Sequence, residues 1–170
     1  MNDDFILFEK CVGYDREKVK QVLVQLNFLA AFLSIGDLHI TNFGIKKNGK
    51  LIVFDFMCSN VPDAQKSFLD DCLISFNGEA NIHIDEFFKL CRELLKQCET
   101  TERIRIAKLA IGEWELLDKI DVARKIMSDQ KLFLNEEQQI NYDKGTKELD
   151  DYVSKIRANI QKFMEKGMQT

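Results

Sequence analysis

The sequence predicts a mainly α protein with one small β-hairpin. Its 170 residues include a single Pro and eight Gly, so helix breakers are rare. Apolar residues recur at steps of three and four along most of the chain, which is the period of an amphipathic helix. The exception is the stretch around Asn48-Gly49, where the strongest short hairpin signal lies between two apolar runs.

The composition limits the classes of protein to which this chain can belong. The length fits a single domain over 1–170, and 45% apolar with 31% charged residues is ordinary for a globular chain. The net charge of −4 argues against nonspecific binding to nucleic acid, which needs a basic face. We expect no membrane span and no secretory signal, because no run of about 18 apolar residues occurs and the start is acidic. We therefore expect a cytoplasmic protein, of the producing cell or of an infected host.

The cysteines favour the same compartment. There are five of them and they show no Cys-x-x-Cys spacing, which is typical of reduced thiols in an intracellular protein. Cys91 and Cys98 lie seven positions apart on a predicted helix, and Cys72 lies on another apolar stripe. We expect them to fill the core rather than to bind zinc or take part in redox chemistry.

The first elements are a strand and a long helix. The apolar run over 5–11 predicts a short strand, which Gly13 ends. A helix is predicted over 15–34, with Asp15 as its N-cap and Glu17 in its first turn. Its apolar stripe comprises Val19, Val22, Leu23, Leu26, Leu29, Ala30 and Leu33.

A polar loop and the hairpin follow this helix. The hairpin is predicted from Phe43 to Ile45 and from Leu51 to Phe54, with its turn at 47–49. Asp37 and Asn42 lie five positions apart on the loop, and Asp55 ends the second strand. Folding the hairpin back would set Asp55 beside the loop. Two carboxylates and an amide suit phosphoryl transfer, which needs a carboxylate near the attacking hydroxyl and oxygen ligands for magnesium.

The rest of the chain, over 60–166, predicts helix after helix. Pro62 is expected to start the first, with Ser59 or Asn60 as its cap. Asn135 and Gln138 resemble a capping box that starts the last. The successive apolar stripes are Phe68, Leu69, Cys72, Leu73 and Phe76, ended by Asn77-Gly78; Phe87, Phe88, Cys91, Leu94, Leu95 and Cys98; Ile104, Ala107 and Ile111, ended by Gly112; Trp114, Leu117, Ile120, Ala123 and Ile126; and Leu149, Tyr152, Val153, Ile156, Ile160 and Phe163.

The loop and hairpin resemble the kinase-like superfamily. Asp37 and Asn42, with four residues between them, match the catalytic-loop pattern, and Asp55-Phe56 matches the start of the magnesium-binding segment. Gly36-Asp37-Leu38-His39 looks more like the loop of aminoglycoside phosphotransferases, lipid kinases and small bacterial or phage kinase-like proteins than that of common protein kinases.

The resemblance implies a kinase C-lobe, a helical bundle whose small hairpin carries Asp55. It implies that Asp37 is catalytic, that Asn42 and Asp55 hold Mg²⁺, and that His39 braces the loop by hydrogen bonds. The stretch from Phe5 to Gly13 resembles the strand and hinge that hold the adenine of ATP, with Glu9 and Cys11 at the nucleotide edge. The acceptor would be a hydroxyl, on a protein or on a small molecule.

The sequence also departs from the family. Met57 replaces the glycine that follows Asp-Phe in protein kinases, and the chain contains no Gly-x-Gly-x-x-Gly. The resemblance therefore covers only about Phe5 to Phe56 and implies a C-lobe without its N-lobe. In one hypothesis, an unusual local element or a second polypeptide supplies the missing phosphate clamp. In another, the chain is a catalytically silent mimic that binds and regulates a partner such as a host kinase.

A structural explanation stays open for each residue. Asp after Gly is a common turn residue, Asn before an aromatic residue often caps a turn, and Asp after a strand is often a helix N-cap. Under this third hypothesis the chain is a helical interaction domain, and the motif in it arose by chance.

Overall fold

A computed structural model describes residues 5–8, 15–36, 38, 42–46, 50–53, 57–58, 63–70, 72–74, 82–130 and 135–166. It is mainly helical with small antiparallel sheets, as the sequence predicts. The helices are α1 (Arg16–Phe32), α2 (Ala64–Asp70), α3 (Ile82–Gln97), α4 (Thr100–Glu113), α5 (Leu116–Gln130) and α6 (Glu136–Lys166). The strands are β1 (Phe5–Leu7), β2 (Ile35–Gly36), β3 (Phe43–Lys46), β4 (Leu51–Val53) and β5 (Met57–Cys58). The chain forms two compact units, residues 1–107 and 108–170.

Helix α1 is the centre of the first unit. Asp15 caps it as predicted, since its carboxylate accepts a hydrogen bond from the Glu17 amide at 2.9 Å. Most of the predicted apolar stripe is buried, although Leu29 and Leu33 are only half-buried. Helix α1 contacts α2, α3 and β2. The helix ends at Phe32, before the predicted boundary, and Ser34 then adopts a positive φ of 51°. This left-handed residue turns the chain from the helix into β2.

The strands form a three-stranded antiparallel sheet in the order β1-β3-β4 and a separate ribbon of β2 with β5. The predicted hairpin is confirmed, because β3 pairs with β4 and Phe43 lies opposite Val53. The predicted turn at 47–49 lies outside the described residues, but beside it the Lys46 amide donates to the Lys50 carbonyl at 2.9 Å. The predicted first strand is present in its first part, since β1 pairs with β3 over Phe5–Leu7. Phe8 is no longer strand, and the rest of the predicted stretch lies outside the described residues.

Helix α2 differs from its prediction at both ends. Its N-cap is Asp63, whose carboxylate accepts from the Lys66 amide at 3.0 Å, and not Ser59 or Asn60, which lie outside the described residues. It ends at Asp70, so Cys72 and Leu73 are not helical. The cause of the early end is tertiary. The Leu73 amide donates to the side chain of Asn27 on α1 at 2.8 Å instead of continuing the helix.

Aromatic rings join the sheet to the helices of the first unit. Phe8 follows β1, and its ring centroid lies 4.9 Å from that of Phe43 on β3 and 5.5 Å from that of Phe87 on α3. Phe68 of α2 packs edge-on against Phe28 and Phe32 of α1, at 5.8 and 5.9 Å. All of these rings are buried, so the contacts contribute to the core on the predicted apolar faces of α1 and α3.

The second unit contains α5 and α6, which contact each other. Two ion pairs link them: Arg124 with Asp150 at 3.1 Å, and Arg157 with Asp121 at 2.9 Å. The later residue of α5 pairs with the earlier residue of α6, so the helices are antiparallel. Ile156, Ile160 and Phe163 of α6 are buried as predicted.

Three residues assigned to apolar stripes are in fact exposed. Ile126 is 53% exposed and Leu149 is 40% exposed, and Cys72 is also on the surface because it lies beyond the end of α2. Helical spacing identifies one face of a helix, but only packing decides how far along its length that face is covered. Cys91 and Cys98 are buried, as predicted. No helix within the described ranges is long and apolar enough to cross a membrane.

Candidate phosphoryl-transfer site

Of the site residues that the sequence predicts, Asn42 belongs to the described part of the chain. It directly precedes β3 and is buried, with 9% of its surface exposed. Nearby, Leu38 is also buried, at 2% exposed, although the sequence analysis assigned it no role. Leu38 lies between the predicted catalytic Asp37 and His39, so its burial anchors the chain at the centre of the predicted loop.

The remaining predicted site residues lie outside the described residues. They are Glu9, Cys11, Asp37, His39 and Asp55. The structure describes Phe8 before Glu9, Gly36 and Leu38 on either side of Asp37, and Leu38 before His39. Among the described residues no three His, Cys, Asp or Glu side chains are grouped so as to hold a metal ion.

The β2–β5 ribbon joins the two stretches that carry the predicted carboxylates. Ile35 lies opposite Cys58, and Gly36 lies opposite Met57. Gly36 is the residue before Asp37, and Met57 is the second residue after Asp55. The pairing was not predicted from sequence, because two-residue strands have no periodicity to detect.

The three-stranded sheet also brings chain ends together. Leu7 pairs with Gly44, and Phe43 pairs with Val53. The C-terminal ends of β1 and β4 therefore meet the N-terminal end of β3 at one end of the sheet. Asn42 lies immediately outside that end, and the chain from β1 toward Glu9 and from β4 toward Asp55 leaves the sheet there too.

Two buried polar residues, Asn27 and Arg103, hold helix α2 in place. The sequence analysis assigned neither of them a role. Asn27 on α1 donates through its amide to the Phe68 carbonyl at 3.0 Å. Arg103 on α4 donates to the carbonyls of Phe68 at 3.2 Å and Leu69 at 2.7 Å. The same guanidinium also donates to the carbonyls of Leu95 and Cys98. A positive charge thus lies at the C-terminal ends of α2 and α3, where the helix dipoles favour it.

These two residues left a weak sequence signal. Asn27 interrupts the apolar stripe of α1 between Leu26 and Phe28, and a polar residue within such a stripe needs a hydrogen-bonding partner when it is buried. Arg103 lies next to Ile104, the first residue of an apolar stripe, and an arginine is ordinarily exposed to solvent. The effect of the two residues is to attach α2, and with it the chain that follows β5, to α1 and α4.

Titratable groups cluster where the start of α1 lies near α3 and α4. A hydrogen bond from Lys20 to Glu17 at 2.6 Å raises the pKa of Lys20 above its ordinary value. Burial raises the pKa of the Cys98 thiol, against the opposing effect of the Arg103 charge. A hydrogen bond from Arg105 lowers the pKa of Glu102. Hydrogen bonds explain the shifts of Lys20 and Glu102, and burial explains that of Cys98, so the shifts give no sign of a catalytic group at this position.

Comparisons with known proteins add no information about this site. No family model, no curated protein and no solved structure matches this chain.

Proposed function

We propose that this chain is the C-lobe of a kinase-like phosphotransferase, which transfers the γ-phosphate of ATP to a hydroxyl acceptor. In this proposal Asp37 orients or deprotonates the acceptor hydroxyl, and Asn42 and Asp55 bind Mg²⁺. The observation that carries it is the strand pairing. The β2–β5 ribbon and the β1-β3-β4 sheet join the stretches of chain that lead to all of the predicted site residues.

Chain connectivity limits how far apart these residues can be. Asp37 is one residue from Gly36, and Asp55 is two residues from Met57, which lies opposite Gly36. Asp55 is also two residues from Val53, whose partner Phe43 is the residue after Asn42. Consecutive Cα atoms are about 3.8 Å apart, and paired strands are separated by about 5 Å. Asp37, Asn42 and Asp55 are therefore each only one or two residues along the chain from a residue that is paired in a strand.

The donor chemistry fits magnesium. Carboxylate and amide oxygens are the hard ligands that Mg²⁺ accepts, and it usually takes one or two carboxylates together with phosphate oxygens. When bound, the metal would neutralise charge on the phosphates of ATP. Asn42 is itself buried and directly precedes the buried Phe43, which supports a preorganised position for its amide.

The same sheet supports the proposed position of the nucleotide edge at Glu9 and Cys11. Glu9 lies two residues after Leu7, and Leu7 pairs with Gly44, two residues after Asn42. A hinge at Glu9 and Cys11 would then adjoin the end of the sheet at which Asn42 lies. The packing of Phe8 against Phe43 holds this end of β1 to β3.

Calorimetric titration with ATP, with and without Mg²⁺, tests the binding part of the proposal. We expect metal-dependent binding that Asp55→Ala abolishes and that Asp70→Ala, at the exposed end of α2, leaves unchanged. Asp37→Asn should retain binding and lose phosphoryl transfer, measured with radiolabelled ATP and pooled hydroxyl acceptors. Transfer that persists in both the Asp55 and the Asp37 variants would disprove the assignment.

A second candidate function is favoured by one observation in the sequence. The chain contains no Gly-x-Gly-x-x-Gly, the motif that covers the phosphates in protein kinases. A silent mimic would bind a complete kinase whether or not nucleotide is present. Sedimentation of the chain with a panel of purified kinases tests this, and a complex that Asp55→Ala leaves intact would favour the mimic over the enzyme.

A further inference from the structure

Helix α5 carries four exposed residues in a row on one face: Lys119, Val122, Ile126 and Asp129. We refer to them as the α5 stripe. Their spacing of three, four and three places them along one face of the helix. Val122 and Ile126, in the middle, are large apolar side chains that are 56% and 53% exposed.

The stripe lies on the side of α5 away from α6. The residues of α5 that pair with α6 are Asp121 and Arg124. At about 100° per residue, these two lie roughly on the opposite side of the helix from the stripe. The contact between α5 and α6 therefore leaves the stripe uncovered.

The charges at the two ends of the stripe are unfavourable within α5 itself. Lys119 is the fourth residue of a helix that runs from Leu116 to Gln130, and Asp129 is its second-last residue. The N-terminal end of a helix favours negative charge and the C-terminal end favours positive charge. Each charge would be favourable beside the opposite end of another helix.

We propose that the α5 stripe is an interface for a second copy of this chain, with the two α5 helices antiparallel across a two-fold axis that crosses the stripe at the level of position 124. This axis places each residue before Arg124 opposite the residue equally far after it. Val122 then faces the partner's Ile126, and Lys119 faces the partner's Asp129. The stripe is thus complementary to itself in both apolar contact and charge, as a two-fold interface requires.

The size of the surface sets the expected strength. A helix of 15 residues is about 22 Å long, so two such helices bury less than a standard stable interface. The association is therefore weak, with a Kd of roughly 10–500 μM.

Charge reversal in the full-length chain tests the arrangement. Lys119→Asp or Asp129→Lys alone creates two like-charge pairs across the axis, and we expect each to weaken the Kd by about tenfold or more in sedimentation equilibrium. The double swap Lys119→Asp/Asp129→Lys restores opposite pairs and should return the Kd to within about threefold of the original. Each single reversal places a charge that the helix dipole of α5 favours, so it should not unfold the chain. A loss of affinity is therefore not explained by unfolding, and circular dichroism verifies that the variants are folded.

The control is Lys89→Asp, an equal change of charge at an exposed position on α3, which should leave the Kd unchanged. Three results would overturn the proposal. They are an original chain that stays monomeric up to about 500 μM, an association insensitive to both reversals, and a double swap that fails to recover it.

Discussion

Asn27 and Arg103 donate hydrogen bonds to the same acceptor, the carbonyl oxygen of Phe68, at 3.0 and 3.2 Å. The two side chains come from α1 and α4, and the carbonyl belongs to α2. Both are buried, with 0% and 6% of their surfaces exposed. One peptide oxygen thus joins three helices of the first unit, and the predictions on stability start from this contact.

Replacing Arg103 should be costly. Arg103→Met keeps most of the side-chain volume but removes the donors to four buried or part-buried carbonyls, so we expect a loss of about 3 kcal/mol in the free energy of unfolding. Urea denaturation measures this. The control Arg105→Met, two residues along the same helix, removes only a surface pair with Glu102 and should cost less than about 1 kcal/mol. Equal losses in the two variants would mean that the Arg103 bonds contribute little.

Asn27 and Arg103 should be energetically coupled. Asn27→Ala removes one of the two donors to the Phe68 carbonyl and the acceptor of the Leu73 amide, and should cost about 2 kcal/mol alone. Because the two residues share an acceptor, the cost of Asn27→Ala combined with Arg103→Met should differ from the sum by about 0.5 kcal/mol or more. A double-mutant cycle measures the difference, and the cycle of Asn27 with Arg105 should be additive.

The turn between α4 and α5 stores strain at Glu115. Its φ is 49°, in the left-handed region where a side chain is unfavourable and glycine is not. Glu115→Gly should therefore stabilise the chain by about 0.5–1 kcal/mol. The matched change Glu93→Gly, inside α3, should destabilise it by about 1 kcal/mol, since glycine there costs only helix propensity. Thermal unfolding compares the two, and a destabilising Glu115→Gly would contradict the prediction.

Burial of Cys98 predicts a loss of stability at alkaline pH. Because the pKa of its thiol is raised in the folded state, its contribution is complete below the pKa of an unfolded thiol, about 8.5, and declines as pH rises toward the folded value. Cys98→Ala should make the decline in unfolding free energy above pH 8.5 shallower, by at most about 1.4 kcal/mol per pH unit. An unchanged slope in Cys98→Ala would contradict the prediction. Urea unfolding at pH 7, 8.5 and 10 decides between these outcomes.

Local patterns were enough to predict much of the fold. The cap at Asp15, the stripes of α1 and α3 and the β3–β4 hairpin depend on neighbours within a few residues, so each can be recognised from the sequence alone. The predicted assignment of Asp37, Asn42 and Asp55 also came from local spacing, and it stays a prediction that the ATP titration tests.

What the sequence determined by itself, then, is the mainly helical class, the hairpin and the polar residues that suggest phosphoryl transfer. Only the tertiary structure decided that β2 pairs with β5, that α2 ends at Asp70 and that Ile126 is left exposed. The reason is physical. Each of these outcomes depends on a partner distant in sequence, such as Asn27 for the end of α2, and local periodicity carries no information about which distant groups will meet.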